Sequence, residues 1–313
     1  MQRNPISKLD LGWVNESRVN RSAVERRTKT LVTRRSIKKD HQAAWLLKAI
    51  TMIDLTTLAG DDTPGKVHRL CAKARQPIRQ EILDTLEMPP LTTGAVCVYH
   101  SRIGDALAAL AGTEIPVAAV STGFPAGQSP FEQRIAEIHA SVEAGAKEID
   151  IVLSREHVLS QNWPAIFNEV KQMREACGEA HLKTILATGE LGTLTNVYKA
   201  SLVCMMAGAD FIKTSTGKES VNATLDVGLV MVRAIRDYHE RTGHQVGFKP
   251  AGGIRTAKDA MQWLILIKEE LGDAWLNNHY FRFGASSLLD DIERQLSHHT
   301  TGRYAARHHI PLG

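Results

Sequence analysis

Between about residue 43 and residue 299, short apolar runs alternate with amphipathic stretches eight times over, and this constrains the fold more than any other feature. Strands are expected at 50–55, 95–99, 117–120, 148–153, 182–187, 210–213, 246–249 and 280–284. Helices are expected near 65–86, 101–112, 129–144, 158–177, 192–207, 224–240, 257–271 and 286–298. Repeated strand-then-helix units are the pattern of an α/β chain closed into a (β/α)8 TIM barrel. At 313 residues, 43% hydrophobic and 23% charged, the chain suits one such barrel plus an extension as well as two smaller domains. The expected organisation is a basic extension, partly helical or flexible, over 1–42, a catalytic barrel over 43–299 and a tail over 300–313.

A barrel of this kind carries its chemistry where strands end and the loops to the next helix begin. That rule gathers Asp54, Cys97, Thr122, Asp150, Lys183, Lys213, Lys249 and the turn 284–287 at one mouth. Lys213 ends the short run Asp210-Phe211-Ile212, just before a loop of hydroxyls and glycine. An ammonium cannot lie unpaired in an apolar core without losing its proton or finding a partner. Alone, such a lysine reads best as one that snorkels to a loop carbonyl. Lys249, in Gly247-Phe248-Lys249-Pro250-Ala251-Gly252-Gly253, ends another short strand. Two lysines at neighbouring strand ends raise each other's cost of protonation, so the more buried one becomes an amine nucleophile near neutral pH.

Asp150 lies inside the β-branched run 147–153 and needs a cation or strong donor there. It fits a buried ion pair that only fixes packing, and it fits equally the acid-base partner that imine chemistry requires. Asp54 reads as a support that orients a hydroxyl or a lysine, or caps the following turn. Lys183, one residue into its strand, points either inward to Asp150 or into a salt bridge at the bottom face.

Phosphate binding is the other legible function. Gly252 and Gly253 free backbone amides to approach an anion, and Arg255 adds charge. Gly284-Ala285-Ser286-Ser287 follows the last strand and opens the last helix, whose N-terminal dipole favours an anion. Barrels commonly build a phosphate site from the loops after strands seven and eight, and Thr216-Gly217-Lys218 offers a third side. The residues thus describe a lysine Schiff-base enzyme acting on a phosphorylated carbonyl compound. No metal and no cofactor is called for, because the protonated imine is itself the electron sink.

Basic residues crowd positions 18–39, where the acids after Asp10 are few. This reads as a solvated extension, part helical, laid over the end of the barrel. Asp10, Glu16 and Glu25 argue against a mitochondrial presequence, and the missing aromatic interleaving argues against nucleic-acid contact. Cys71, Cys97, Cys177 and Cys204 form no CxxC pair. Spacings such as His68-x-x-Cys71 and Cys97-x-x-His100 are not those of a usual zinc site. Free thiols in a reducing compartment are expected, hence a cytoplasmic protein, with nuclear presence left open. No segment has the apolar length of a membrane span, and the sequence leaves a homo-oligomer open.

The segments 210–218, 247–256, 283–289 and 148–150 resemble the signature segments of the deoxyribose-phosphate aldolase family, as do 95–99, 122–127 and 188–191. The resemblance runs from about Ile50 to Gln295, and the long N-terminal extension and the ending 300–304 look like the animal-type branch. It implies class I cleavage of 2-deoxy-D-ribose 5-phosphate to D-glyceraldehyde 3-phosphate and acetaldehyde. By the same resemblance, Lys213 forms the Schiff base, Lys249 lowers its pKa, and Asp150 is acid and base, with Lys183 and Asp54 in support. Thr216, Gly217, Lys218, Gly252, Gly253, Arg255, Gly284, Ser286 and Ser287 form the implied phosphate site. One departure stands out: bacterial relatives often end in a tyrosine that reaches the site, whereas this chain ends His309-Ile310-Pro311-Leu312-Gly313 with Tyr304 nearest. Another Schiff-base barrel enzyme, a catalytically inactive scaffold, or a nucleic-acid-associated protein acting through its basic arm are the competing readings.

Overall fold

The computed structural model describes residues 2–310. Its strands are β1 (Ile53–Thr56), β2 (Ala95–Tyr99), β3 (Val117–Ser121), β4 (Glu148–Val152), β5 (His181–Ile185), β6 (Phe211–Lys213), β7 (Gly247–Lys249) and β8 (Phe283–Ala285). They pair in parallel in the order β7-β6-β5-β4-β3-β2-β1-β8. Bridges Phe248–Phe281 and Ala251–Gly284 join the two ends, so the sheet closes into the expected (β/α)8 barrel. Parallel strands buried on both faces read as nearly unbroken apolar runs, which is why the sequence marked them clearly.

The helices are α1 (Leu11–Glu16), α2 (Arg21–Arg34), α3 (Lys39–Ile50), α4 (Pro64–Arg75), α5 (Gln80–Thr85), α6 (Ile103–Ala109), α7 (Phe131–Glu143), α8 (Arg155–Leu159), α9 (Trp163–Ala176), α10 (Leu194–Met206), α11 (Leu225–Thr242), α12 (Ala257–Glu270) and α13 (Leu288–Thr301). The stretch 65–86, expected as one helix, is two. Pro77 follows the end of α4, and with no backbone N–H it cannot continue the helical ladder. The start of 158–177 is likewise divided, with α8 ahead of α9 and a proline in the first turn of α9.

The basic N-terminal segment is held by buried contacts as well as charge. Val14, Val24 and Leu31 join the main apolar core, and Trp13 stacks on Tyr238 of α11. Arg27 pairs with Glu269 and Glu270 at the end of α12. Asn4 reaches furthest: its backbone N–H donates to Asp210 Oδ1 at 2.7 Å, and its side-chain amide donates to the carbonyls of Met205 and Ala209. Asp210 immediately precedes β6, so the arm fastens the base of the strand that ends in Lys213.

Candidate active site

Inward positions recur every second residue along a strand, so Glu148 and Asp150 of β4 share the barrel interior. Parallel pairing places Lys183 opposite Asp150, Ile185 opposite Lys213, and Lys213 opposite Lys249. The result is a dense set of buried charges in the lumen. Lys213 Nζ lies 2.7 Å from Asp150 Oδ2, and Lys249 Nζ lies 2.8 Å from that same oxygen. Lys249 also meets Asp54 Oδ2 at 2.5 Å. Lys183 contacts Asp150 Oδ1 at 3.2 Å, Asp54 Oδ2 at 3.3 Å and the Glu148 carboxylate. Below them Arg282 donates to Asp54 Oδ1 at 2.6 Å and to Glu148 Oε1 at 3.0 Å. Lys183 therefore fills both roles its sequence position suggested, reaching Asp150 above and a salt bridge below. Asp54 orients lysines rather than capping a turn.

These contacts divide the lysines by the number of carboxylates each touches. Lys183 touches Asp54, Glu148 and Asp150; Lys249 touches Asp54 and Asp150; Lys213 touches Asp150 and shares it. Burial disfavours the charge on all three. In Lys183 and Lys249 the carboxylates outweigh burial and hold the ammonium above the ordinary lysine value. In Lys213 burial wins, with the Lys249 charge adding to it, and the pKa falls below that value although Asp150 opposes. Asp150 itself is disfavoured as an anion by burial, but Lys183, Lys213 and Lys249 together hold it well below the usual carboxylate range.

Above the lumen lies a cavity of about 220 Å³ lined by Lys213 and by the loops after β6, β7 and β8. Thr216, Gly217, Lys218, Gly252, Gly253, Arg255, Gly284, Ser286 and Ser287 all border it. Gly252 sits at φ +82°, and a Cβ there would stand 2.7 Å from the Asn222 side chain. A Cβ on Gly284 would stand 2.8 Å from that of Ala251 and 3.3 Å from Lys249 Cε, so glycine lets the β8 end pass close to the lysine.

Two helices begin at this cavity, and their N-caps differ. The start of α12 is closed by a capping box of Thr256 and Asp259, with Asp259 also accepting from the Arg255 N–H. Ser287, the N-cap of α13, makes no side-chain capping bond, so this helix end lacks the cap that closes α12, and its dipole still favours an anion. On the third side the structure departs from expectation. The N–H groups of Thr216 and Gly217 donate to the Glu219 carboxylate, and Lys218 N–H donates to Thr216 Oγ1. These residues line the cavity, but their amides serve the loop itself.

A sequence profile described as DeoC/LacD family aldolase matches residues 48–293. The chain belongs to the DeoC/LacD family of aldolases. It is 63% identical over 310 residues to the deoxyribose-phosphate aldolase of Mus musculus and 60% identical over 313 residues to that of Homo sapiens. These alignments cover 98% of this chain and 98% of the mouse protein, and 99% and 98% for the human one. Among solved structures, the tetrameric deoxyribose phosphate aldolase of Aeropyrum pernix superposes with a TM-score of 0.59 at 22% identity. That match covers 82% of this chain and 97% of the other, and it shows the shared fold.

Of the other expected mouth residues, Cys97 faces the lumen lysines, whereas Thr122 ties two strand ends together. Thr122, at φ +65°, is buried, and its hydroxyl accepts from Val152 N–H, tying the end of β3 to the end of β4. Cys97 packs with Ala118 and Val120 inside the barrel, while Cys71 lies against the Ala106 carbonyl elsewhere. Tyr304 stacks on His298 in the last turn of α13 and is 57% exposed. The helix axis separates that turn from the cavity end at Ser287 by about 16 Å, so Tyr304 does not enter the site. The expected chain end at 311–313 lies outside the described residues.

Four residues escaped sequence reasoning. Glu148 stands two positions before Asp150, and the inward alternation of its strand could have found it, whereas Arg282 precedes a strand too short to show alternation. Glu219 follows Thr216 by three, the spacing of a capping box. Arg155 carries no local signal; it donates to the carbonyls of Pro125 and Ala126 and pairs with Glu190, joining loops that are distant in sequence.

Proposed function

We propose that this chain reversibly cleaves 2-deoxy-D-ribose 5-phosphate to D-glyceraldehyde 3-phosphate and acetaldehyde through an imine on Lys213. Family membership supports the reaction class, and the near-full-length mammalian relatives named deoxyribose-phosphate aldolase support the substrate. One observation carries the choice of nucleophile. Of the lumen lysines, Lys213 alone borders the cavity, and it alone is pushed below the ordinary lysine pKa.

In this reading the neutral Lys213 amine attacks C1 of the open-chain aldehyde, and the carbinolamine loses its hydroxyl as water to give the protonated imine. Asp150, with one carboxylate oxygen on Lys213 and Lys249, supplies and removes the protons, directly or through a water. Loss of the C3 hydroxyl proton breaks the C2–C3 bond. Its electron pair passes to the imine, leaving an enamine on Lys213 and releasing D-glyceraldehyde 3-phosphate. Protonation at C2 and hydrolysis then release acetaldehyde and restore the amine. Lys249 keeps its proton and lowers the Lys213 pKa, while Asp54 and Lys183 hold Asp150 and Lys249 in place.

The phosphate sits against the first turn of α13 at Ser286 and Ser287, beside Gly252, Gly253 and Gly284, with Lys218 and Arg255 adding charge. Thr216 and Gly217 shape that wall. The reading keeps 43–299 as the catalytic barrel and places the protein in a reducing compartment such as the cytoplasm, in keeping with four buried free thiols. Among the described residues no helix is long and apolar enough to cross a membrane. Assembly into a homo-oligomer accords with the tetramer of the Aeropyrum pernix relative.

Borohydride reduction in the presence of acetaldehyde or the sugar phosphate, followed by peptide mass spectrometry, tests the nucleophile. An adduct on Lys213 is expected; an adduct on Lys249, or none in folded protein, overturns the assignment.

A further inference from the structure

The lumen holds four side chains able to carry positive charge, Lys183, Lys213, Lys249 and Arg282, against three carboxylates, Asp54, Glu148 and Asp150, all buried. An uncompensated charge in such surroundings is costly, so the excess of one is relieved most readily by the amine with the fewest anionic contacts. That amine is Lys213, with Asp150 as its one carboxylate partner. Arg282 cannot contribute by losing its own proton, because a guanidinium stays charged.

Glu148 and Arg282 do not border the substrate cavity. They sit at the opposite end of the barrel and line a separate cavity of about 410 Å³ on the N-terminal face, together with His181 and His279. Arg282 bridges Glu148 and Asp54, Glu148 holds Lys183, and Asp54 holds Lys249. The contacts run without a break from this remote pair to the partners of Lys213.

We propose that Glu148 and Arg282 are a positioning pair that fixes the charge excess of the lumen and thereby sets the pH at which Lys213 becomes a free amine. This rests on Lys213 being the imine-forming residue. The groups facing Lys213 are Asp150 from β4, Lys249 from β7 and Cys97 from β2, with Lys183 of β5 on the far side of Asp150 and Asp54 of β1 behind Lys249. Burial keeps Cys97 a neutral thiol, and β3 brings apolar Ala118 and Val120 against it. Burial also lowers the pKa of His181 and of His279, so both face the pair as neutral rings near neutral pH. Lys147, Glu114 and Glu179 complete the charged lining of that lower cavity.

The test separates charge from architecture, because the two partners carry opposite signs. Glu148→Gln removes an anion and makes the lumen more positive, so the acid limb of the kcat/KM profile moves to lower pH. Arg282→Gln removes the surplus cation, and the limb moves to higher pH. Shifts of about half a pH unit or more are expected for charges acting through buried partners. Glu148→Gln combined with Arg282→Gln brings the limb back toward wild type, and Arg282→Lys, which keeps the charge, holds it there. Each variant is compared at matched folded content by circular dichroism. If Glu148→Gln fails to fold, the contrast between Arg282→Gln and Arg282→Lys decides. Limbs that stay fixed, or that move in the same direction for both charge removals, overturn the proposal. Borohydride trapping on the wild-type protein keeps the two questions apart: an adduct on Lys213 with unmoved limbs defeats this inference and leaves the nucleophile standing.

Discussion

Lys213 and Lys249 are register partners across the β6–β7 pair, and their Nζ atoms stand 2.7 and 2.8 Å from the same atom, Asp150 Oδ2. Like charges directly opposite one another in a sheet are destabilising. The shared acceptor relieves this unequally, since Lys249 has Asp54 as a second anion and Lys213 has none. Lys249→Leu removes the neighbouring cation that helps depress Lys213, so the Lys213 pKa rises. Below its pKa the amine is protonated and cannot attack, so the acid limb of the rate profile moves to higher pH and activity at neutral pH falls. The kcat/KM profile checks this; an unmoved limb would show the two amines to be uncoupled. Lys213→Leu, by contrast, abolishes turnover at every pH with the fold retained.

Asp150→Asn takes away the anion that Lys183, Lys213 and Lys249 share. Breaking one partner out of a buried ion pair costs about 3–5 kcal/mol, so the unfolding midpoint drops. Its effects on the two halves of the chemistry differ. Without the anion Lys213 gives up its proton more easily, and borohydride still traps acetaldehyde on it. Proton transfer to and from carbon and oxygen has lost its agent, and turnover falls about 10²–10⁴-fold. Loss of trapping in parallel with turnover would show that imine formation already requires the Asp150 carboxylate.

The N-terminus of α13, which Ser287 does not cap, gives a prediction specific to the phosphate. Ser287 caps the helix without a side-chain bond, and its side chain is exposed at the cavity. Ser287→Glu places a carboxylate at the anion-favouring helix end. KM for the phosphorylated sugar is expected to rise about tenfold or more, an energy of about 1.4 kcal/mol. Turnover of 2-deoxyribose lacking the phosphate stays near its wild-type value. Equal losses on both substrates would place the phosphate elsewhere.

The barrel was legible because each parallel strand is buried on both faces and so leaves a short apolar run, as 95–99 and 117–121 do. Lys213 and Lys249 were legible because each ends such a run, where a charge has no business unless it has a partner. The partners were harder to see. Asp150 was noticed for its apolar neighbours, yet Glu148, equally buried two residues earlier, begins its strand beside Lys147 and passes for a solvated charge. Arg282 precedes a strand of three residues, too short to display alternation. The amides of Thr216 and Gly217 could be assigned only by geometry, because a glycine next to a threonine looks the same whether its N–H meets a phosphate or Glu219. The basic arm is mostly exposed, as a solvated extension should be, but its arginines mask the spaced Val14, Val24 and Leu31 that anchor it.

The arm supports the site from beneath. Asn4 is buried, its side-chain amide donates to Met205 and Ala209 carbonyls at 2.7 and 3.0 Å, and its Oδ1 accepts from Tyr238. Its backbone N–H and Arg174 both satisfy Asp210, at the foot of the strand that carries Lys213. Asn4→Ala leaves the Ala209 carbonyl without this donor, while the Met205 carbonyl keeps the Gly208 N–H, the Tyr238 hydroxyl keeps the Met205 carbonyl, and the backbone bond to Asp210 remains. Burying polar groups unsatisfied costs about 1–3 kcal/mol, so thermal unfolding moves down while activity at ambient temperature persists. Deleting residues 2–10 removes the backbone donor as well and leaves Asp210 with Arg174 and the Leu182 N–H. Its destabilisation should therefore exceed that of Asn4→Ala. A deletion no more harmful than the point substitution would show that the Asp210 contact adds nothing to the strand it precedes.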